Sequence, residues 1–328
     1  MAINRNLVRH SIQLILWLVA GGLIWLSFRQ VSLPELLATL QLIEWWQYIL
    51  FILANGLVLL FKYLRWWMIL RYQQYKIPFL ALAGIRQAAF AVSTITPGPQ
   101  FGGEPVQILA LTHHYQVPSA QATASVLLDR TIELTVSFSF IITGALLVLA
   151  QHQLGLSPFA LGIVGLGLVT PLGYLMCLRF KRRPLSYLLR PFSKLHTLIA
   201  SSEQEMSRFL GQGNGRLTIL LLLSFIGFIA QIGEYWLILH ILDVPLQLMR
   251  FITLFTVVRL SLFIPTPAGL GAVESGQVLA FSLLGLQLTS AVSVTILMRI
   301  RDVLLILIGL WMAAKIGNIK KAEEPNAC

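Results

Sequence analysis

Long apolar runs separated by short polar breaks dominate the pattern of this chain. Runs near 11–28, 45–70, 118–150, 156–178, 217–242 and 287–314 each reach the roughly 20 residues a helix needs to cross a hydrocarbon core. They predict about six spanning helices. The segments 79–96, 103–114, 249–264 and 271–285 are shorter, and proline and glycine interrupt them where a helix cannot continue. They pair into two helical hairpins that either re-enter the membrane or span it as broken helices, giving about eight to ten segments in all.

Composition excludes a soluble fold. With 57% hydrophobic and only 11% charged residues, a soluble chain of 328 residues would have too little polar surface to cover itself. The expected class is an all-α polytopic membrane protein forming a single integral membrane domain over 1–328. Its first apolar run is too long for a signal peptide, and no small-residue cleavage site follows before Arg29, so it is expected to stay as an anchor. Cys177 and Cys328 are too few and too far apart for a disulfide framework or a metal site. The pair His113-His114 reads as part of a solvated loop before Pro118. Gly269-x-Gly271 lacks the third glycine of a dinucleotide fingerprint, so no cofactor or metal is expected.

Basic residues set the orientation. With a cytoplasmic N-terminus, Arg5, Arg9, Lys62, Arg65, Arg71, Lys76, the 179–216 loop, Lys315, Lys320 and Lys321 all fall inside, against Arg29 and Arg250 outside. Both termini are then cytoplasmic in a multi-pass inner-membrane protein. The 179–216 loop carries Arg179, Lys181, Arg182, Arg183, Arg190, Lys194, Arg208 and Arg216 against Glu203 and Glu205. Leu185, Leu188, Leu189, Phe192, Leu195 and Leu198 recur in it at near-helical spacing. A basic amphipathic segment of this kind is expected on the anionic inner leaflet, so the net charge of +11 needs no nucleic acid.

The chain also repeats itself. Thr96, Pro97, Glu104, Gln107, Leu109 and Ala110 return, without a gap, as Thr266, Pro267, Glu274, Gln277, Leu279 and Ala280. At the same offset Trp66 falls on Trp236, Ser125 on Thr295 and Leu127 on Leu297. The repeats are assigned to 40–150 and 210–316, and the positive-inside count gives them opposite orientation.

Setting aside loop and end charges leaves five basic residues in apolar surroundings, all arginines: Arg86, Arg130, Arg259, Arg299 and Arg301. Asp129 and Glu133 accompany Arg130, and Asp302 accompanies Arg299 and Arg301. A charge near mid-bilayer costs about 3 kcal/mol on insertion scales, so these groups should pair or line a wet cavity. One reading is a salt-bridge lock between the halves. The other is a site for an anionic guest, because arginine exceeds the three acids and its guanidinium grips phosphate in a fork. The turns suit that second reading. Pro97, Gly98 and Gly102 in one copy, and Pro267, Gly269 and Gly271 in the other, break the helix and leave amides free at the start of the next. Glu104 with Gln107, and Glu274 with Gln277, share a helix face. Each glutamate either caps those amides or pairs with an arginine, a cationic head group or a proton.

The two motifs, with Lys62-Tyr63-Leu64-Arg65-Trp66-Trp67, resemble the flippase-like transmembrane domain of the lysylphosphatidylglycerol synthases and of related stand-alone proteins. Pro97, Gly98, Gly102, Glu104, Pro267, Gly269, Gly271 and Glu274 match the family's Pro/Gly-rich glutamate motifs, while Pro99 in the first copy stands where the second has Gly269. The chain runs only a few residues past Lys321, so the synthase reaction is not expected of it. The resemblance implies movement of an anionic phospholipid or polyprenyl-phosphate-linked head group between leaflets. Membrane lipids are the expected partners, with a lipid-modifying or glycosyltransferase enzyme besides. A secondary transporter of an ion or small solute, and a membrane enzyme acting on a lipid phosphate, are the readings left open.

Overall fold

The computed structural model describes residues 43–94, 102–150, 158–244, 246–262, 264 and 271–322, together with Pro34 and Gln41. The expected span at 11–28, the turn residues Pro97, Gly98, Pro267 and Gly269, and Cys328 lie outside the described residues. Among those described, every regular element is a helix. In chain order they are α1 (Trp45–Tyr72), α2 (Phe79–Ser93), α3 (Glu104–His114), α4 (Ser119–Ala150), α5 (Pro158–Arg179), α6 (Pro184–Leu188), α7 (Ser193–Gly211), α8 (Asn214–Ile241), α9 (Leu248–Ser261), α10 (Ala272–Leu283) and α11 (Leu288–Ala322). The protein is all-α and polytopic. Trp45–Tyr72, Ser119–Leu149 and Gly215–Ile241 are long and apolar enough to cross a bilayer by length and composition. In α11, Arg299, Arg301 and Asp302 interrupt an otherwise apolar run of comparable length.

Helices α1 to α4 have 28, 15, 11 and 32 residues. Helices α8 to α11 have 28, 14, 12 and 35, the same succession of long, short, short and long. His113 and His114 close α3 rather than sitting in a loop.

The chain forms two compact units. The larger takes Trp45–Leu82 and Gln107–Thr256, and the smaller takes Ala83–Val106 and the chain from Val257 onward. In the larger unit α1 lies along α8, α4 packs on both, and α5 and α7 pack on α4. Its core joins Ile69 of α1, Leu128 and Ile132 of α4, Leu178 of α5, and Met206 and Leu210 of α7. The aromatic residues of α4, α8 and α9 extend it, with the Phe140 and Phe228 rings stacked 4.6 Å apart and Trp236 edge-on to Phe251 at 4.7 Å.

Within 179–216 the basic segment folds into α6 and α7. The carboxylate of Glu203, fully buried, accepts the N–H groups of Leu185 at 3.0 Å and Ser186 at 2.9 Å and so holds the start of α6 against α7. The far end of α7 enters the core through Met206, Phe209 and Leu210. Tyr187, Leu188, Phe192 and Leu195 stay exposed.

A run of hydroxyls marks one face of α4. Thr131 donates to the Leu127 carbonyl at 2.7 Å, Thr135 to Thr131 at 2.8 Å, Ser139 to Thr135 at 2.7 Å and Thr143 to Ser139 at 2.8 Å. Each saturates a polar side chain within its own helix, which is what an apolar surrounding demands.

In the smaller unit α2 and α11 meet backbone to backbone. Gln87 donates its Nε2 to the Leu305 carbonyl at 2.7 Å, and Ala91 packs with Ile306 and Leu310. Gly309 makes this approach feasible, because a Cβ there would overlap the Gln87 carbonyl oxygen and the Ala91 methyl. Backbone cannot step aside as a side chain can. Gly309→Ala is therefore expected to cost about 1–3 kcal/mol, seen as a lowered melting temperature of the detergent-solubilised protein. An unchanged melt would mean that the two helices are farther apart.

Candidate functional site

In the smaller unit the site grows from the start of α10. Gly271 adopts φ +79°, which favours glycine, and turns the chain into the helix. Glu274, in the first turn, accepts the Gly271 N–H on Oε2 at 2.8 Å. Its other oxygen accepts Nε of Arg299 at 2.8 Å and lies 2.6 Å from Nη2. The same carboxylate thus caps a helix and anchors an arginine, so the two readings of this glutamate are both present in the geometry. Arg299 is only 4% exposed. Asp302 stands 3.8 Å from Arg299 and 2.8 Å from Arg301. Two guanidiniums therefore face two carboxylates, and Glu274 supplies the negative charge that a count of Asp129, Glu133 and Asp302 leaves out. One turn beyond Glu274, Gln277 is wholly buried.

The first copy differs. Gly102, at φ +112°, donates its N–H to Glu104 Oε2 at 2.6 Å, which repeats the cap. Gly103 beside it lies so close to the Ala89 carbonyl that a Cβ would overlap it. At the register that Arg299 holds in the second copy, the first copy has Asp129. Gln107 is buried on α3, Arg86 is buried on α2, and Arg259 is half-buried in the last turn of α9.

In the larger unit Asp129 is claimed by Arg65. The Arg65 guanidinium donates from Nε to Asp129 at 2.6 Å, from Nη2 to Glu133 at 3.1 Å and from Nη1 to the Ser224 hydroxyl at 3.0 Å. Three helices, α1, α4 and α8, are tied by that one group. Lys62 lies 3.7 Å and Arg130 3.4 Å from Glu133, so three cations surround two carboxylates. A recess of about 20 Å³ opens beside Lys62, Arg65, Glu133, Ser137, Ser224 and Gln231. That is room for about one water.

Arg65, grouped in the sequence with the charges at the inner end of a span, is 2% exposed in the structure and belongs to a buried ion cluster. The signal was present in the spacing, since Val58, Arg65 and Ile69 share one buried stripe of α1. Glu234 was also missed. It is 2% exposed on α8 and accepts the Asn55 Nδ2 at 3.0 Å. A lone carboxylate far along an apolar 28-residue helix was the signal for it.

A protein-family model described as Lysylphosphatidylglycerol synthase TM region matches residues 13–309. A search of curated protein sequences gave no match.

Proposed function

The chain belongs to the lysylphosphatidylglycerol synthase transmembrane-region family, and from that premise we propose that it carries a phospholipid or polyprenyl-phosphate-linked head group between leaflets of the inner membrane. The observation that carries this reading is the buried, paired charge. Arg299, paired with Glu274 from the first turn of α10, and Arg65, paired with Asp129 and Glu133, lie inside long apolar helices where ionised side chains are costly. The Arg299–Glu274 pair is neutral at rest. Opened, it offers both signs to an entering head group: guanidinium to a phosphate oxygen, carboxylate to a cationic group. The α1–α4 and α8–α11 runs serve in this proposal as the two inverted repeats, exposing the pairs to one side and then the other. No bond is made or broken, and the lipid leaves as it entered. An enzyme that builds or modifies the head group is the partner proposed to supply it.

The water-sized recess beside Arg65 favours a second reading, in which a small ion is the cargo. Leaflet exchange of a fluorescent anionic phospholipid in proteoliposomes separates the two. Wild type should accelerate exchange, and Glu274→Gln should slow it about tenfold or more, since a charge-assisted hydrogen bond is worth about 1.5–3 kcal/mol. A cap alone would leave exchange intact and cost about 1 kcal/mol of stability or less. Wild-type vesicles that exchange no lipid faster than empty ones would remove the lipid reading.

A further inference from the structure

Among the described residues of the smaller unit, the Gln277 amide is buried without its hydrogen bonds. Gln277 lies on α10 one turn past Glu274 and on the same face. It is 0% exposed, and neither Nε2 nor Oε1 has a hydrogen-bond partner. Buried polar groups are nearly always satisfied, so a wholly enclosed amide lacking both bonds is a place for a hydrogen-bonding group. The enclosure is tight, because Gly276 brings α10 against Ser261 of α9, where a Cβ would overlap the serine side chain.

The neighbouring charges are already matched. Glu274 is taken up by the Gly271 N–H and by Arg299, and Asp302 by Arg301. What remains is one neutral donor and one neutral acceptor on the same side chain. A phosphate, with acceptors only, would satisfy Nε2 and leave Oε1 bare. An ammonium, with donors only, would do the reverse. A hydroxyl satisfies both.

We propose that Gln277, beside the Gly271–Glu274–Arg299 group, is a subsite for an alcohol hydroxyl, and that the head groups carried are hydroxyl-bearing. This rests on the lipid reading above and narrows it. Selectivity would come from the amide, because a buried group built to bond a hydroxyl rejects an analogue that lacks one.

The test uses the full chain in detergent and reads thermal stabilisation by short-chain phospholipids with inositol, choline or bare phosphate head groups. The inositol lipid should stabilise wild type at about tenfold lower concentration than the other two. Gln277→Leu, which keeps the bulk and removes the amide, should melt no lower than wild type without lipid and lose the preference. Gln277→Met serves if the leucine variant does not fold. Equal ranking of the three lipids by wild type, or a preference that survives in either variant, overturns the subsite and leaves the amide with a trapped water only. Leaflet exchange by wild type is a separate measurement. Exchange together with equal ranking would remove the hydroxyl subsite and keep the lipid function.

Discussion

Arg65→Ala should lose about 3–5 kcal/mol of stability, because truncating one member of a buried ion cluster strands the others in an apolar interior. Asp129 is 1% exposed and receives the Arg65 Nε at 2.6 Å, so it has nowhere to find water in exchange. Ser224 loses a donor at the same time. Denaturation of the solubilised protein measures the loss. Removing both charges should behave differently. Arg65→Met with Asp129→Leu leaves Glu133 between Lys62 and Arg130, and replacing a buried pair by apolar side chains is often neutral or better. The double variant should recover most of the stability and none of the leaflet exchange. Recovery of both would reduce the cluster to scaffolding.

The Glu274–Arg299 pair allows a sharper separation. Glu274→Arg alone sets two guanidiniums side by side in an apolar helix pair and removes the carboxylate that caps Gly271, so we expect a loss on the order of 3 kcal/mol or more and no transport. Adding Arg299→Glu restores opposite charges across the same gap. The coupling energy from the double-mutant cycle should return about 0.5–3 kcal/mol. Transport should stay absent, because the arginine now sits at the start of α10, where the helix dipole opposes it, and the carboxylate faces the place meant for phosphate. An exchanged variant that flips lipid at the wild-type rate would show that only the bond between the two residues matters.

Much of this architecture was readable from residue pattern alone. The gapless repeat of Glu, Gln, Leu and Ala marked the starts of α3 and α10, since an acid just after a proline- and glycine-rich turn suits the first turn of a helix. Apolar run length gave α1, α4 and α8 to within a few residues. The partners of the charges were harder to read. Arg65 stands among Tyr63, Trp66 and Trp67, a setting that resembles an interfacial belt. Only the arrival of Asp129 and Glu133 on one face of α4 turns it into a buried hub. Likewise the surplus of arginine was set against Asp129, Glu133 and Asp302 alone, while Glu274 stood open to either a cap or an arginine. Spatial pairing moves the excess positive charge to Lys62, Arg65 and Arg130. Gln277 was legible as a neighbour of Glu274, whereas the lack of a hydrogen-bond partner for its amide belongs to packing and has no trace in sequence.

The stacked hydroxyls of α4 have a mechanical consequence. Leu127, Thr131, Thr135 and Ser139 each offer one carbonyl to a side-chain hydroxyl as well as to the helix, and a shared acceptor holds its amide less tightly. That softening lies along one side only. Asp129 and Glu133, two residues out of step with it, tether nearly the opposite side to Arg65. A rod clamped on one flank and slackened on the other yields in a single direction, as a leaf spring does. Release of the Arg65 clamp would then let α4 flex along its length, converting the breaking of one ion cluster into displacement several turns away.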